Sequence, residues 1–252
     1  MTVAPVHEDG NIELGADGHL KGRARHVPFA RRSRHVAVLA RRAGVPIAAL
    51  VEADGLGITP GTSLAGDPQD TVSFDGIAVA ASGPAPGLGP VALVRLGAAL
   101  RAQQMAGALE HILDQSVQWS LDRVQFGRPI AKFQAVQHNL AMLAGKVAAA
   151  GAAADAAAEA IARDGVASDK AAAEVAIAKI RAGEAASTGA AIAHQVHGAM
   201  GFTYEHSLHH ATRRLWAWRE EFGNETLWAE RLGRMVVMTG ADALWPLITQ
   251  GS

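Results

Sequence analysis

The chain has 252 residues, of which 23 are basic and 24 acidic, and it contains no cysteine. The near-zero formal charge gives no overall field that would attract nucleic acid or an anionic membrane, and the lack of cysteine excludes disulfides and thiolate metal sites. Residues 1–10 lack a basic start followed by an apolar stretch, and no uninterrupted apolar run reaches the roughly 18 residues of a membrane span. We therefore expect a cytoplasmic protein without a transmembrane segment.

The first third of the chain predicts a small antiparallel β-domain over residues 1–85. The β-prone pieces cover residues 2–6, 11–14, 35–40, 46–52 and 71–80. Glycine-rich turns separate several of them, and Asp17-Gly18 between Leu14 and Leu20 predicts a tight hairpin. Residues 81–90 are rich in glycine and proline and have the composition of a linker.

Beyond the linker the apolar residues recur at helical spacing, which predicts an α-helical bundle over residues 91–245. The predicted helices cover residues 91–122, 133–163, 168–197, 207–218 and 226–239. Ser168 is a plausible N-cap for the third helix. Alanine is frequent, but larger apolar residues recur within the pattern, so a packed bundle is favoured over low-complexity disorder. The predicted fold class is therefore α+β.

A structured connection, the first joint (residues 123–134), interrupts the helical pattern. Phe126-Gly127 and Arg128-Pro129 are expected to end one helix and to set the start of the next. Guanidinium groups match phosphate oxygens, and glycine lets a ligand approach the backbone. The pattern is compatible with a site for a phosphate-bearing ligand, but on spacing alone a capped turn that carries surface arginines is the favoured reading.

A second connection, the second joint (residues 195–206), follows the third predicted helix. Gly198 and Gly201 lie three residues apart, directly after Gln195 and before Phe202. Glycines permit positive φ and close backbone approach, so the exposed amides could hold an anion or the edge of a purine. A glycine C-cap explains the same residues about as well.

Together the two joints resemble the C-terminal helical domain of acyl-CoA dehydrogenases, which use FAD to introduce a double bond between Cα and Cβ of an acyl-CoA. The residues that carry the resemblance are Arg123, Phe126, Gly127 and Gln134 in the first joint, and Gln195, Gly198, Gly201 and Phe202 in the second. The likeness extends over residues 91–239, and the upstream strands resemble the middle β-domain of that family.

The resemblance implies that both joints reach across a subunit interface to the ADP half of a neighbour's FAD. Arg123 and Gln134 would then lie near the pyrophosphate, and Phe126, with Gly127 beside it, would pack on the flavin or adenine side. The second joint would line the adenine end through Gln195, Gly198, Gly201 and Phe202. The expected cofactor is FAD, and no metal is expected.

Three departures from the family pattern concern the flavin ring and the substrate. Family members normally carry an N-terminal helical domain before the β-domain, whereas this chain begins at the first strand, so we expect one side of an acyl pocket to be missing. Where the family presents a tryptophan and a threonine to the flavin, residues 22–28 read GRARHVP. The third departure is the catalytic base.

In most family members the base is a glutamate directly before a glycine. Spacing from Gln195 puts Phe222 in that place, and Glu221 misses it by one residue, a rotation of about 100° on a helix. The other family location falls near Gly97, which has no acid beside it. Either the backbone shifts to deliver Glu221, or the chain supplies no base, and we favour the second reading.

The missing base suggests the non-catalytic subunit of a heteromer, as in family members that act on steroid side-chain CoA thioesters. The expected partners are an acyl-CoA substrate, a second acyl-CoA dehydrogenase-like subunit and, as an electron acceptor, an electron-transfer flavoprotein. Two alternatives stand beside this reading. One is a scaffold that binds no flavin, and the other is a metal site formed by His206 with His209 or His210, for which helix-end histidines are the favoured explanation.

Overall fold

The computed structural model describes residues 1–5 and 11–249. The chain divides into two compact units, Met1–Val94 and Arg95–Ser252. The predicted strand at 2–6 extends in sequence to Val6, which lies outside the described residues.

The first unit is built from short strands in two sheets. Its strands are β1 (Thr2–Val3), β2 (Glu13–Leu14), β3 (His19–Lys21), β4 (Arg23–Pro28), β5 (His35–Arg42), β6 (Val45–Glu52), β7 (Gly57–Thr59), β8 (Gln69–Ser73), β9 (Ile77–Ala78) and β10 (Ala81–Pro84). The larger sheet has the order β10-β6-β5-β2-β3-β9 with β1 beside β5, and the smaller sheet has the order β4-β8-β7. The α+β class is confirmed.

The longest ladder of the larger sheet shows how the sequence pattern produces the core. Strands β5 and β6 pair antiparallel from His35 opposite Glu52 to Arg42 opposite Val45. The connecting residues Ala43 and Gly44 have φ of 49° and 80°, as a two-residue hairpin with the twist of the strands requires. Alternate residues of β5 are buried, which gives the sheet one apolar face.

The sheet differs from the predicted antiparallel domain in three respects. Strands β1 and β2 pair with β5 in parallel. The predicted strand at 71–80 is interrupted by a turn at Gly76, which has φ of 77°, so it becomes the end of β8 and a separate β9. The first four residues of the predicted linker form β10, which pairs with β6, because backbone hydrogen bonds with a sheet edge do not require β-prone side chains.

Strand β4 was not predicted because a β-bulge hides its alternation. Its pairing with β8 shifts register between Ala24 and Val27, and His26 within the bulge has φ of 55°. The bulge places two consecutive exposed residues between the buried Ala24 and Val27. A pattern of this kind has no period of two, so no strand is predicted there from the sequence.

The second unit is helical. The helices of the chain are α1 (Pro90–Asp122), α2 (Gln134–Asp164), α3 (Asp169–His197), α4 (Leu208–Glu220), α5 (Glu225–Thr239) and α6 (Ala241–Thr249). The five predicted helices are confirmed with small shifts at their ends, whereas α6 was not predicted. Ser168 caps α3 as expected, because its Oγ accepts a hydrogen bond from the Ala171 amide at 3.1 Å.

Helix α3 lies at the centre of the bundle, in contact with α2, α4 and α5. Small residues on α3 let its neighbours approach closely. A Cβ at Gly189 would lie 3.0 Å from Leu109 Cδ2 of α1 and 3.0 Å from Leu143 Cδ1 of α2. The three helices therefore meet at a position where only glycine fits without repacking.

One helix among the described residues, α2, is long and apolar enough by length and composition to cross a membrane. This finding qualifies the expectation that no segment could do so. The buried residues of α2 are mostly alanines, and the helix packs against α3. Core helices of bundles pass the same test, so the finding alone does not place the chain in a membrane.

Lys179 of α3 caps the C-terminal end of α4 from the interior of the bundle. Its ammonium group is buried and donates hydrogen bonds to the carbonyl oxygens of Trp218 at 3.0 Å, Arg219 at 3.1 Å and Glu221 at 2.9 Å. A cation at these carbonyls complements the negative end of the helix. Desolvation outweighs the attraction of Glu221 and lowers the pKa of Lys179 from 10.5 to about 8.

This pKa predicts a specific pH dependence of stability. Between about pH 8 and 10.5 the unfolded chain keeps the Lys179 proton that the folded chain releases, so the free energy of unfolding should rise with pH by up to about 3 kcal/mol. Lys179→Met should remove this rise in urea denaturation across that range. Lys146→Met, which changes a lysine with a 42% exposed side chain, should keep it. An equal rise in wild type and Lys179→Met would contradict the prediction.

Candidate functional site

The first joint is a miniature hairpin between α1 and α2. Strands β11 (Val124–Gln125) and β12 (Arg128–Pro129) pair antiparallel across Phe126 and Gly127, which have φ of 53° and 78°. The Ile130 amide donates to the Arg123 carbonyl at 2.9 Å and closes the hairpin. Two successive positive φ values are typical of a type I′ turn, which makes this joint a fixed structure.

The hairpin presents an aromatic ring and guanidinium groups to solvent. The Phe126 side chain is 94% exposed and meets the Phe133 ring edge-on, with 6.2 Å between the ring centroids. The Arg128 guanidinium lies 4.4 Å from the centroid of the Phe133 ring, a cation–π contact that the sequence analysis did not predict. Arg123 and Gln134 are exposed on the same joint.

The second joint begins where α3 ends. Gly198 has φ of 62°, and its amide donates to the His194 carbonyl, so it caps the helix. A short 3-10 helix follows over Gly198–Phe202. Gln195 is exposed, and the Phe202 side chain is 72% exposed.

The two glycines of this joint have different physical reasons. A Cβ at Gly201 would lie 2.9 Å from His197 Cβ and 3.1 Å from Leu208 Cδ2, so packing requires glycine there. A Cβ at Gly198 would meet no described atom within 4 Å, and the positive φ is what favours glycine. The open backbone that a ligand could approach is therefore at Gly198.

The structure brings the two joints to the same end of the helical unit. The Arg123 amide donates to the carbonyl of Trp119, in the last turn of α1, at 2.9 Å. The Trp119 ring stacks on the His197 ring, with 5.3 Å between the centroids and 22° between the planes. One turn earlier, Gln115 Nε2 donates to Ser207 Oγ at 2.8 Å. The end of α1 thus contacts the chain on either side of the second joint's 3-10 helix.

Two buried histidines lie under the second joint. His194 Nε2 is 2.9 Å from Thr212 Oγ1, and His197 Nδ1 is 2.8 Å from the Ala193 carbonyl. Burial lowers the pKa of both imidazoles below the usual value, and neighbouring histidines lower it further. Among the described residues no group of three or more histidines and carboxylates is arranged to hold a metal ion.

Glu221 lies at the opposite end of α4 from the second joint. The 13 residues of α4 separate them by roughly 20 Å. Glu221 Oε2 accepts a hydrogen bond from Arg101 Nε at 2.6 Å and forms an ion pair with Arg101 Nη2 at 2.5 Å, and both side chains are 16% exposed. The negative charge of this carboxylate is thus balanced by a guanidinium at close range. Within one chain, Glu221 and the joints do not form one site.

Phe222 packs directly on Gly97. Its ring is so close that a Cβ at Gly97 would lie 2.4 Å from Phe222 Cε1. The backbone at Phe222 has φ of 56°, and its carbonyl accepts a hydrogen bond from Trp228 Nε1 at 3.0 Å. The two positions at which the resemblance places a catalytic base are therefore in contact, and neither carries an acid.

Sequence reasoning missed Trp119, Arg101 and Lys179. Trp119 precedes Arg123 by four residues, and residues at this spacing lie on the same face of a helix. The position of Trp119 beside the first joint could therefore have been predicted from the sequence. Arg101 and Lys179 carried no signal, because their partners lie 120 and about 40 residues further along the chain.

Glycine substitutions at the second joint and within α2 should have opposite effects on the free energy of unfolding. Gly201→Ala should lower the free energy of unfolding by about 1–3 kcal/mol, because the added methyl group clashes with the side chains of His197 and Leu208. Gly145→Ala, at an exposed and open position within α2, should raise it by up to about 1 kcal/mol. Thermal and urea unfolding test both. A Gly201→Ala protein as stable as wild type would contradict the assigned packing.

A family model described as acyl-CoA dehydrogenase, C-terminal domain, matches residues 92–236, which is more than half of the chain. The chain is 37% identical over 127 residues to acyl-CoA dehydrogenase IpdE2 of Mycobacterium tuberculosis, a match that covers 50% of this chain and 35% of that protein. It is 34% identical over 161 residues to acyl-CoA dehydrogenase IpdE2 of Mycolicibacterium smegmatis, covering 63% and 49%. These matches thus span half or less of each curated relative.

Solved structures with the same fold include the ChsE4-ChsE5 complex of Mycobacterium tuberculosis. It superposes with a TM-score of 0.82 at 25% identity, over 95% of this chain and 66% of that chain. Butyryl-CoA dehydrogenase of Megasphaera elsdenii superposes with a TM-score of 0.78 at 20% identity, over 94% and 67%. A structure titled Tcur3481-Tcur3483 steroid ACAD G363A variant gives a TM-score of 0.74 at 24% identity, over 94% and 62%.

Proposed function

The chain belongs to the acyl-CoA dehydrogenase family, and on this premise we propose that it is a subunit of an FAD-dependent acyl-CoA dehydrogenase that lends both joints to the FAD of a neighbouring subunit. The observation that carries this proposal is the position of the joints at one end of the helical unit. Arg123 is linked to Trp119 by a backbone hydrogen bond, and Trp119 stacks on His197, beside Gly198. Residues about 70 positions apart in sequence can therefore act on one ligand.

The exposed groups at this end fit an anionic ligand with planar rings. Arg123 offers a guanidinium group for phosphate oxygens, and the space beside Gly198 is open to a ligand, whereas the Gly198 amide is already bonded to the His194 carbonyl. The rings of Phe126 and Phe202 are largely exposed and can pack against a flat heterocycle. Gln134 and Gln195 are exposed beside them, with side-chain amides that donate and accept hydrogen bonds.

FAD, when bound, would supply the acceptor for the hydride that leaves Cβ of the acyl group. The α-proton requires a carboxylate that is free to accept it. In this chain Glu221 is engaged by the Arg101 guanidinium, and the contact between Phe222 and Gly97 fills the space between the two family positions. We assign Glu221 a structural role and expect the base to come from another subunit.

This assignment favours a heteromer. Two of the structures that share the fold are named for two different chains each, the ChsE4-ChsE5 complex and Tcur3481-Tcur3483. The second of them is described as a steroid ACAD. Steroid-derived acyl-CoA thioesters are therefore the first substrates to test. An electron-transfer flavoprotein is the first electron acceptor to test.

Replacing Arg123 should weaken binding of the ADP half of the cofactor. We expect Arg123→Ala to reduce the affinity for ADP by about 10- to 100-fold, because a hydrogen bond between charged groups is lost. Titration calorimetry with the full chain and with the assembled heteromer measures this change, and flavin absorbance of the purified heteromer measures FAD occupancy.

Arg181→Ala is the matched control, because Arg181 is an exposed arginine of α3 that pairs with Glu184. Both residues lie more than two helical turns before the second joint. Its affinity for ADP should equal that of wild type. Unchanged ADP binding in Arg123→Ala would remove this residue from the site. A heteromer that assembles without flavin and does not bind ADP would establish the scaffold alternative instead.

Replacing Glu221 tests the assignment of the base. Glu221→Gln keeps the size of the side chain and an oxygen that can accept from Arg101, so turnover of the heteromer should stay within about threefold of wild type. Steady-state kcat with an acyl-CoA substrate is the measurement. A loss of several orders of magnitude, with the thermal stability unchanged, would show that Glu221 is the base.

A further inference from the structure

Aromatic rings from three segments meet at the second joint. Trp119 of α1 stacks on His197 of α3, and both rings contact His206, at centroid distances of 5.6 Å and 4.7 Å. Beside them His194 stacks on Phe202, with 4.5 Å between the centroids. The rings connect the last turn of α1, the end of α3 and the second joint itself.

The large apolar and aromatic side chains of the second joint are mostly exposed to solvent. The exposed fractions of Met200, Phe202 and Tyr204 are 42%, 72% and 86%, so these side chains bury little apolar surface. Gly201 is buried against His197 and Leu208. Segments with little buried apolar surface open locally at low free-energy cost, so the ring contacts have a large share in holding this one closed.

His197 is the buried centre of the ring cluster, with 4% of its surface exposed. Its Nδ1 hydrogen-bonds the Ala193 carbonyl, so Nδ1 is the donor and the proton of the neutral ring is located there. Nε2 is buried and has no hydrogen-bond partner among the described residues. A second proton would therefore be added to a nitrogen with no acceptor in reach.

We propose that Trp119, His197 and His206 form an acid-sensitive clasp that positions the second joint beside the first. The clasp is closed while His197 is neutral and opens when His197 takes a proton. This inference rests on the proposed function, because it makes the three residues positioning residues for the dinucleotide that the joints hold.

The groups that face His197 and His194 set the direction of the effect. His206 and His194 act on His197, and His209 and His206 act on His194, so a positive charge on any of them repels the others. Thr212 and Trp216 of α4 and Trp119 of α1 complete the surroundings with neutral groups. Desolvation is the largest effect on His197 and lowers its pKa, and it outweighs the hydrogen bond to the Ala193 carbonyl, which raises the pKa.

The sign of the pH dependence follows from that lowered pKa. In the open segment His197 is solvated and titrates near the usual value of about 6.5. As the pH falls below that value, the open segment binds a proton that the closed segment excludes, so the closed form loses stability until the pH passes the lowered pKa. Closure is therefore favoured above about pH 6.5 and weakened below it.

The test compares amide hydrogen exchange of residues 198–206 in the full chain at about pH 7.5 and pH 5.5, corrected for the intrinsic rates. We expect protection in wild type to fall between the two values, by at most about tenfold, because the solvated ring alone takes up the proton over the unit of pH below about 6.5. His197→Asn keeps an amide donor for the Ala193 carbonyl and cannot titrate, so its protection should fall clearly less than that of wild type, and the remaining change is the share of His194. His138→Asn, at an exposed histidine of α2, should respond like wild type.

The same loss of protection in His197→Asn as in wild type, or none in wild type, would overturn the clasp. If His197→Asn does not fold, an NMR titration of the His197 ring in wild type decides instead, and a pKa at or above about 6.5 overturns the proposal. ADP affinity is measured in parallel at both pH values. Absence of ADP binding at pH 7.5 would contradict the proposed function but not the clasp, because hydrogen exchange tests the clasp without any ligand.

Discussion

The close packing of α3 against its neighbours is the constraint on which the helical unit depends. Glycine at position 189 lets α1 and α2 approach α3 together, and the alanines of α3 extend this approach along its length. Close packing fixes the helices relative to one another, since an interior of this density leaves little room for adjustment. The ends of α1 and α3 are thereby held in register, and both joints begin at those ends.

Each end of the bundle carries a different arrangement of polar groups. At one end neutral imidazoles and indole rings pack together, and the exposed groups around them are suited to a phosphate and to flat rings. At the other end Lys179 and the Arg101–Glu221 pair stabilise the turn between α4 and α5. In that turn the Phe222 ring packs on Gly97. The first end has open surface for a ligand, and the second is filled by side chains of the chain itself. That contrast is the physical basis for our proposal that this subunit contributes to a cofactor site while another subunit provides the base.

Membership of the acyl-CoA dehydrogenase family could be predicted from the sequence because the joints are local features. Arg123, Phe126 and Gly127 lie within five residues, and Gln195, Gly198 and Gly201 within seven, so their spacing is visible along the chain. Helices α1 to α5 were placed correctly for the same reason, since their period and caps are local signals. Strands β4 and β10 were missed because a bulge and a sheet edge, which pairing partners define, replaced the local pattern.

Local sequence patterns were enough to predict the two-part α+β organisation, the five longer helices and the residue types of both joints, because these depend on contacts between near neighbours in the chain. Three facts became visible only in the folded chain: the joints share one end of the bundle, Gly201 serves packing whereas Gly198 is open, and Glu221 is engaged by Arg101. Each of these facts joins residues from different helices, and the pairing of Arg101 with Glu221 spans 120 positions. No spacing rule predicts such a contact, because the packing of α3 against its neighbours brings the two residues together.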